Sequence, residues 1–169
     1  MAKVEVEISR LIKRYQAKTG KLLTIGTVES ATGGGIANRI TNVPGSSSYF
    51  KGSVVSYSNE VKTNVLGVKK ETIANYGVVS SQMPMQMPQG GRRLLAVDIC
   101  ISDTGIAGPS GGSSEKPVGL FYIGLATKGQ CSSQKYVFSG NRRETRQDAA
   151  EASLDMLRQQ LLQYLAEKG

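Results

Sequence analysis

The chain contains no histidine, and its two cysteines, Cys100 and Cys131, stand far apart with no CxxC spacing. Without histidine, any serine or cysteine nucleophile must find another base. Two separated cysteines make no disulfide framework, and the reducing cytoplasm is the expected compartment. With no histidine and no spaced carboxylate cluster, no transition-metal site is expected. No apolar run is long enough to span a membrane, and the first residues, Met1 to Glu5, interleave charges instead of forming a signal-peptide core. Aromatic residues are only 6% of the chain and do not alternate with basic ones, so a base-stacking platform for nucleic acid is not indicated. The formal net charge is +8, spread along the sequence and not massed in a tail. A solvated surface explains it best, an anionic small ligand next, and nucleic acid last.

What is present fits one α/β domain over residues 1–169, with 39% hydrophobic residues and no linker or internal repeat. Val4, Ile8, Leu11, Ile12 and Tyr15 predict an amphipathic helix over 3–19 that stops at Gly20. Residues 22–28 predict a buried strand, 33–41 a helix, and Pro44 to Ser47 a turn. A short strand is expected at 53–57, with short helices at 59–66 and 71–76. Residues 80–91 carry Pro84, Pro88, Gly90 and Gly91. An interior proline costs a helix about 3 kcal/mol, so an irregular segment is expected there, with helix only over 88–95. Strands are predicted at 97–102, 118–127 and 131–138, the last two as a hairpin, and 104–114 as a glycine-rich loop. A closing helix over 141–167 places Ala150, Leu154, Leu157, Leu161 and Leu165 on one face. Strands separated by helices, followed by a strand–strand pair, indicate a layered α/β domain with a mixed sheet.

The stretch Val28-Glu29-Ser30-Ala31-Thr32-Gly33-Gly34-Gly35 sets a serine where a strand passes into a glycine-opened helix. Such a turn exposes a side chain at the carboxyl edge of a sheet and directs backbone N–H groups at one spot. It can hold a nucleophile, an anion, or both; a plain helix cap is the simpler use. Lys62, in Tyr57-Ser58-Asn59-Glu60-Val61-Lys62, falls in the first turn of a short helix. There the helix dipole and partial burial should lower its pKa, and a neutral lysine can serve as base to a serine. Taken alone, it reads as a surface lysine. The loop from Thr104 to Gly112 matches neither a Walker A loop nor a GxGxxG turn, and it reads as a shaped wall for a ligand or as a flexible connection. Arg142 and Arg146, four apart at the start of the last helix, share a face and can hold a phosphate or stay solvated.

Together these blocks resemble the CinA C-terminal domain family, which includes stand-alone nicotinamide-nucleotide amidases (nicotinamide mononucleotide deamidases) and domains fused to competence/damage-inducible proteins. The matching segments are Glu29 to Gly34, Pro44 to Ser47, Tyr57 to Lys62, Leu66 to Val68, Gly105 to Pro109, Glu115 to Gly119 and Gly140 to Arg142, in order and across nearly the whole chain. The resemblance implies a three-layer α/β/α domain with a mixed sheet and a homodimer. It implies hydrolysis of the carboxamide of nicotinamide mononucleotide to nicotinate mononucleotide and ammonia, with neither metal nor cofactor. It places the nucleophile on Ser30 and its activation on Lys62 and Tyr57. It places substrate contacts on Thr32, Gly33, Gly34, Ser46, Thr104, Gly105 and Arg142. Backbone N–H groups near Gly33 or Gly105 would steady the oxyanion, and Arg142 or a helix N-terminus would hold the phosphate. The chain departs from the family pattern at Ala31, Asn141 and Asp103, and at the Pro84–Gly91 region, which the family makes helical. A carboxylate at 103 replaces an apolar strand residue, and its burial is costly unless it is paired. These departures and the positive charge motivate a second reading, a non-catalytic nucleotide-binding accessory protein linked to competence or DNA damage. A third is amide hydrolysis on a different small substrate.

Overall fold

A computed structural model describes residues 2–168. In chain order the elements are α1 (Val4–Thr19), β1 (Ile25–Glu29), α2 (Gly35–Thr41), a 3-10 turn (Ser46–Ser48) and β2 (Phe50–Val55). Then come α3 (Asn59–Asn64), α4 (Lys70–Tyr76), α5 (Met83–Leu95), β3 (Ile99–Gly105), β4 (Leu120–Ala126), β5 (Cys131–Val137) and α6 (Arg142–Glu167).

The five strands form one mixed sheet in the order β2-β1-β3-β4-β5. β1 runs parallel to both β2 and β3, while β4 and β5 add antiparallel pairs. The α/β class and the mixed sheet are those expected. The strand period of two divides β3 between two cores. Ile99 and Ile101 join a core with Ile8, Leu11 and Ile12 of α1 and Leu154, Leu157 and Leu161 of α6. Cys100, on the opposite face, packs with Val28, Met83 and Met87 under α5. The result is three layers, with α1 and α6 on one side and α5 on the other. The apolar stripe of α6 faces the core: Ala150, Leu154, Leu157 and Leu161 are all buried.

The region around the two prolines differs from the sequence expectation. α5 is continuous from Met83 to Leu95, with Pro84 in its first turn and Pro88 inside it. Pro84 costs little there, because a first-turn N–H has no intrahelical partner to lose. Pro88 frees the Pro84 carbonyl, which lies 3.8 Å from Cys131 Sγ. Tertiary packing offsets the remaining cost. A Cβ on Gly90 would stand 1.9 Å from the Leu66 carbonyl oxygen, and one on Gly91 2.1 Å from Val28 Cγ2. The glycines that weaken α5 as an isolated helix are what let it lie flat on the sheet.

β3 also extends further than expected, through Asp103, Thr104 and Gly105. Pairing with β4, Asp103 opposite Ile123 and Thr104 opposite Tyr122, holds these residues in the ladder. The functional consequence is positional. β1 lies between two parallel neighbours, β2 and β3, which follow it in the chain and pair on its opposite sides, so its carboxyl end is a topological switch point, where open α/β sheets form crevices.

Candidate active site

Ser30 follows β1 directly at that switch point. Tyr57 lies two residues beyond β2, Lys62 is on α3, and Thr104 and Gly105 end β3. Ser30, Tyr57, Lys62, Thr104, Gly105 and Arg142 line one cavity of about 170 Å³, together with Ala31, Val78, Val79 and Ala107. Residues from three elements, α3, β3 and α6, and from the intervening turns thus converge. A second, outer hollow of about 450 Å³ shares Val78, Val79, Gly105, Ala107 and Arg142 with it, and adds Lys116 and the 106–113 loop.

Lys62 is 1% exposed. Ser58 caps α3 by accepting the Val61 N–H, and this sets the short helix so that Lys62 turns inward. Its ammonium donates to the Ser56 carbonyl at 2.6 Å and to the Tyr57 carbonyl at 3.2 Å. Burial pushes its pKa below the usual lysine value, and the charge of Asp103 pulls it partly back up. Of the two causes expected, the helix dipole and burial, burial is the one that acts, since Lys62 lies in the last turn of a six-residue helix and not in its first.

Tyr57 is 61% exposed. Its hydroxyl accepts a hydrogen bond from Arg142 Nη2 at 3.0 Å, and it is its backbone carbonyl that meets Lys62. Arg142 also donates to the Gly108 carbonyl, so it bridges the mouth of the cavity to the glycine loop. Thr104 donates its hydroxyl to the Val78 carbonyl at 2.6 Å.

The glycine turn holds a correction. Its N–H groups were expected to be free for an anion. The Gly33 N–H donates to the Ser30 carbonyl. Those of Gly34, Ile36 and Ala37 donate to the Glu29 carboxylate at 2.8, 3.1 and 2.7 Å. The α2 N-terminus is therefore filled from within the chain. Thr32, Gly33 and Gly34 are absent from the lining of the Ser30 cavity. Ser46, in the 3-10 turn before β2, lies at the amino edge of the sheet and is not part of this group. Arg146 was read as a phosphate ligand or a solvated residue. It donates through Nε and Nη2 to the Ala31 and Thr32 carbonyls at 2.9 and 3.0 Å and so ties the turn to α6.

Asp103 is fully buried beneath the same turn. Its carboxylate accepts the Ser30 N–H at 3.0 Å and the Thr32 N–H at 3.1 Å. Thr32 Oγ1 lies 2.5 Å from Asp103 Oδ1 and 2.8 Å from Glu29 Oε2. Burial raises the Asp103 pKa to about 6, against the opposing pull of the Thr32 and Ser30 hydrogen bonds. The pairing anticipated as necessary for a buried carboxylate at 103 is supplied by backbone donors. The Ala31 N–H, next to the nucleophile position, has no hydrogen-bond partner among the described residues. That leaves it available to an oxyanion, the role expected of N–H groups near Gly33. No cluster of three or more metal-ligating side chains occurs among the described residues.

The model of the CinA C-terminal domain family matches residues 7–161. A CinA-like protein of Endomicrobium trichonymphae is 50% identical over 139 residues, 82% of this chain and 32% of the relative. Another, of Kosmotoga olearia, is 44% identical over 158 residues, 94% of this chain and 38% of the relative. The chain thus spans about a third of the length of the curated relatives it matches. Among solved structures, the competence/damage inducible protein CihA of Agrobacterium tumefaciens superposes with a TM-score of 0.84 at 33% identity, over 93% of this chain and 94% of that one. The competence damage-inducible protein A of Klebsiella pneumoniae gives 0.86 at 27% identity, over 95% and 98%.

Proposed function

The chain belongs to the CinA C-terminal domain family, and from that premise we propose that it is an amidase hydrolysing nicotinamide mononucleotide to nicotinate mononucleotide and ammonia. The supporting observation is the convergence of Ser30 and the buried, pKa-lowered Lys62 on one small cavity. With no histidine in the chain, another side chain must draw the proton from a hydroxyl, and a neutral lysine can do so.

The chemistry runs as an acyl transfer. Neutral Lys62 takes the Ser30 hydroxyl proton as Oγ attacks the carboxamide carbon. Its two N–H groups remain engaged by the Ser56 and Tyr57 carbonyls, which leaves the lone pair for the proton. The Ala31 N–H stabilises the oxyanion. Collapse expels ammonia, which takes the proton back from Lys62. Water, deprotonated by the same amine, then releases nicotinate mononucleotide and restores Ser30. The inner cavity suits the carboxamide end. The ribose phosphate extends into the outer hollow, where Arg142 and Lys116 supply positive charge.

The test is ammonia release from nicotinamide mononucleotide by wild type and by Ser30→Ala. Wild type releases it and the variant does not. Binding of the nucleotide without any turnover by wild type would replace this reading with the accessory-protein one.

A further inference from the structure

The Asp103 carboxylate touches the nucleophile's own backbone, and the mechanism above does not use it. Asp103 reaches across from β3 to accept the N–H of Ser30 and the N–H of Thr32, one through each oxygen. That bidentate contact holds the Glu29–Ser30 and Ala31–Thr32 peptide planes, which bracket the Ser30–Ala31 peptide between them. It therefore fixes the Ser30 Cα–Cβ direction and the Ala31 N–H as one unit. From the other side of the turn, Arg146 holds the Ala31 and Thr32 carbonyls. The charged groups packed about this turn are Glu29 on β1, Lys62 on α3 and Arg146 on α6, with Arg142 at the cavity mouth. Of these, Glu29 and Lys62 interact electrostatically with Asp103.

Resting on the Ser30–Lys62 amidase reading, we propose that Asp103 is a positioning residue for that pair: its carboxylate clamps the nucleophile turn through the Ser30 and Thr32 N–H groups, and it is the counter-charge to the buried Lys62 ammonium. An apolar residue at 103 would leave the Ser30 and Thr32 N–H groups without this acceptor and Lys62 without this counter-charge. Asp103 therefore moves the working range of the base toward alkaline pH while it orders the serine. Burial alone would drive Lys62 to neutrality at lower pH, and the field of the Asp103 carboxylate opposes it.

The test is an NMR titration of the full chain carrying 13C-lysine and 15N, with the Lys62 Cε resonance assigned by its loss in Lys62→Met. In wild type the Ser30 and Thr32 amides and the Lys62 Cε signal shift together as Asp103 titrates near pH 6. In Asp103→Asn the Lys62 midpoint falls by about one pH unit, and the rising limb of kcat/KM against pH moves down with it. Asp103→Val, which a buried strand position accommodates, gives the same shift if the asparagine variant does not fold. Amides that ignore the Asp103 titration overturn the clamp. A Lys62 midpoint unmoved in either folded variant overturns the charge effect. Both readouts are independent of turnover, so a chain inactive on nicotinamide mononucleotide would refute the amidase reading and leave this test intact.

Discussion

Glu29 Oε2 accepts the Gly34 N–H at 2.8 Å, so the residue preceding the serine closes the anion site that the glycine turn opens. Gly34, at φ 98°, is the N-cap of α2 and has no side chain to cap it. Glu29 does this from outside the helix, through three N–H groups. A glycine at φ 98° fits because an L side chain rarely adopts that backbone.

The first prediction follows from this cap. Glu29→Gln keeps the shape of the side chain but replaces one acceptor oxygen with an NH2 that faces backbone donors. Leaving a buried donor unsatisfied costs about 1–3 kcal/mol, and the cost is higher where a charged acceptor is lost. Denaturant unfolding should show that loss as a lower midpoint at unchanged slope. An unchanged midpoint would mean that Glu29 contributes nothing as a cap.

The second concerns pH and rate. Only neutral Lys62 acts as base, so kcat/KM rises with pH. The inflection lies below the ordinary lysine value of 10.5, because burial disfavours the ammonium. Lys62→Met removes this limb and lowers kcat by about 10²–10⁴-fold, the usual range for a general base. A profile that keeps its inflection in the methionine variant would assign the proton transfer elsewhere.

The third is a linkage effect at Asp103. Its folded pKa of about 6 lies above the ordinary aspartate value of 3.8. A raised pKa means that the folded chain binds the proton more tightly than the unfolded one. The associated stability is fully present below pH 3.8 and is lost as pH rises through about 6. Two units correspond to about 3 kcal/mol. Wild type should therefore lose about that much relative to Asp103→Val between pH 4 and pH 7, whatever the offset between the two proteins. Parallel guanidinium midpoints at the two pH values would contradict the shift.

Much of this architecture was readable from the sequence by periodicity. The stripe Ala150, Leu154, Leu157 and Leu161 requires a buried helix face, and α6 buries all four. The apolar run into Glu29 requires a buried strand, and every residue of β1 is buried. α5 was not readable, because its local preferences oppose helix. Only the close approach to Leu66 and Val28 favours Gly90 and Gly91 there, and those contacts come from elsewhere in the chain.

The site divides along the same line. The sequence by itself placed Ser30 at a strand-to-helix turn, because hydrophobic pattern and glycine position are local properties. Its lack of histidine meant that another side chain has to serve as base. Tertiary structure alone decided that Lys62 is buried, that Glu29 occupies the helix N-terminus, and that Asp103 lies under the serine. Burial and partner choice depend on which strands become neighbours. β1 and β3 are separated by some seventy residues of chain and meet only in the sheet.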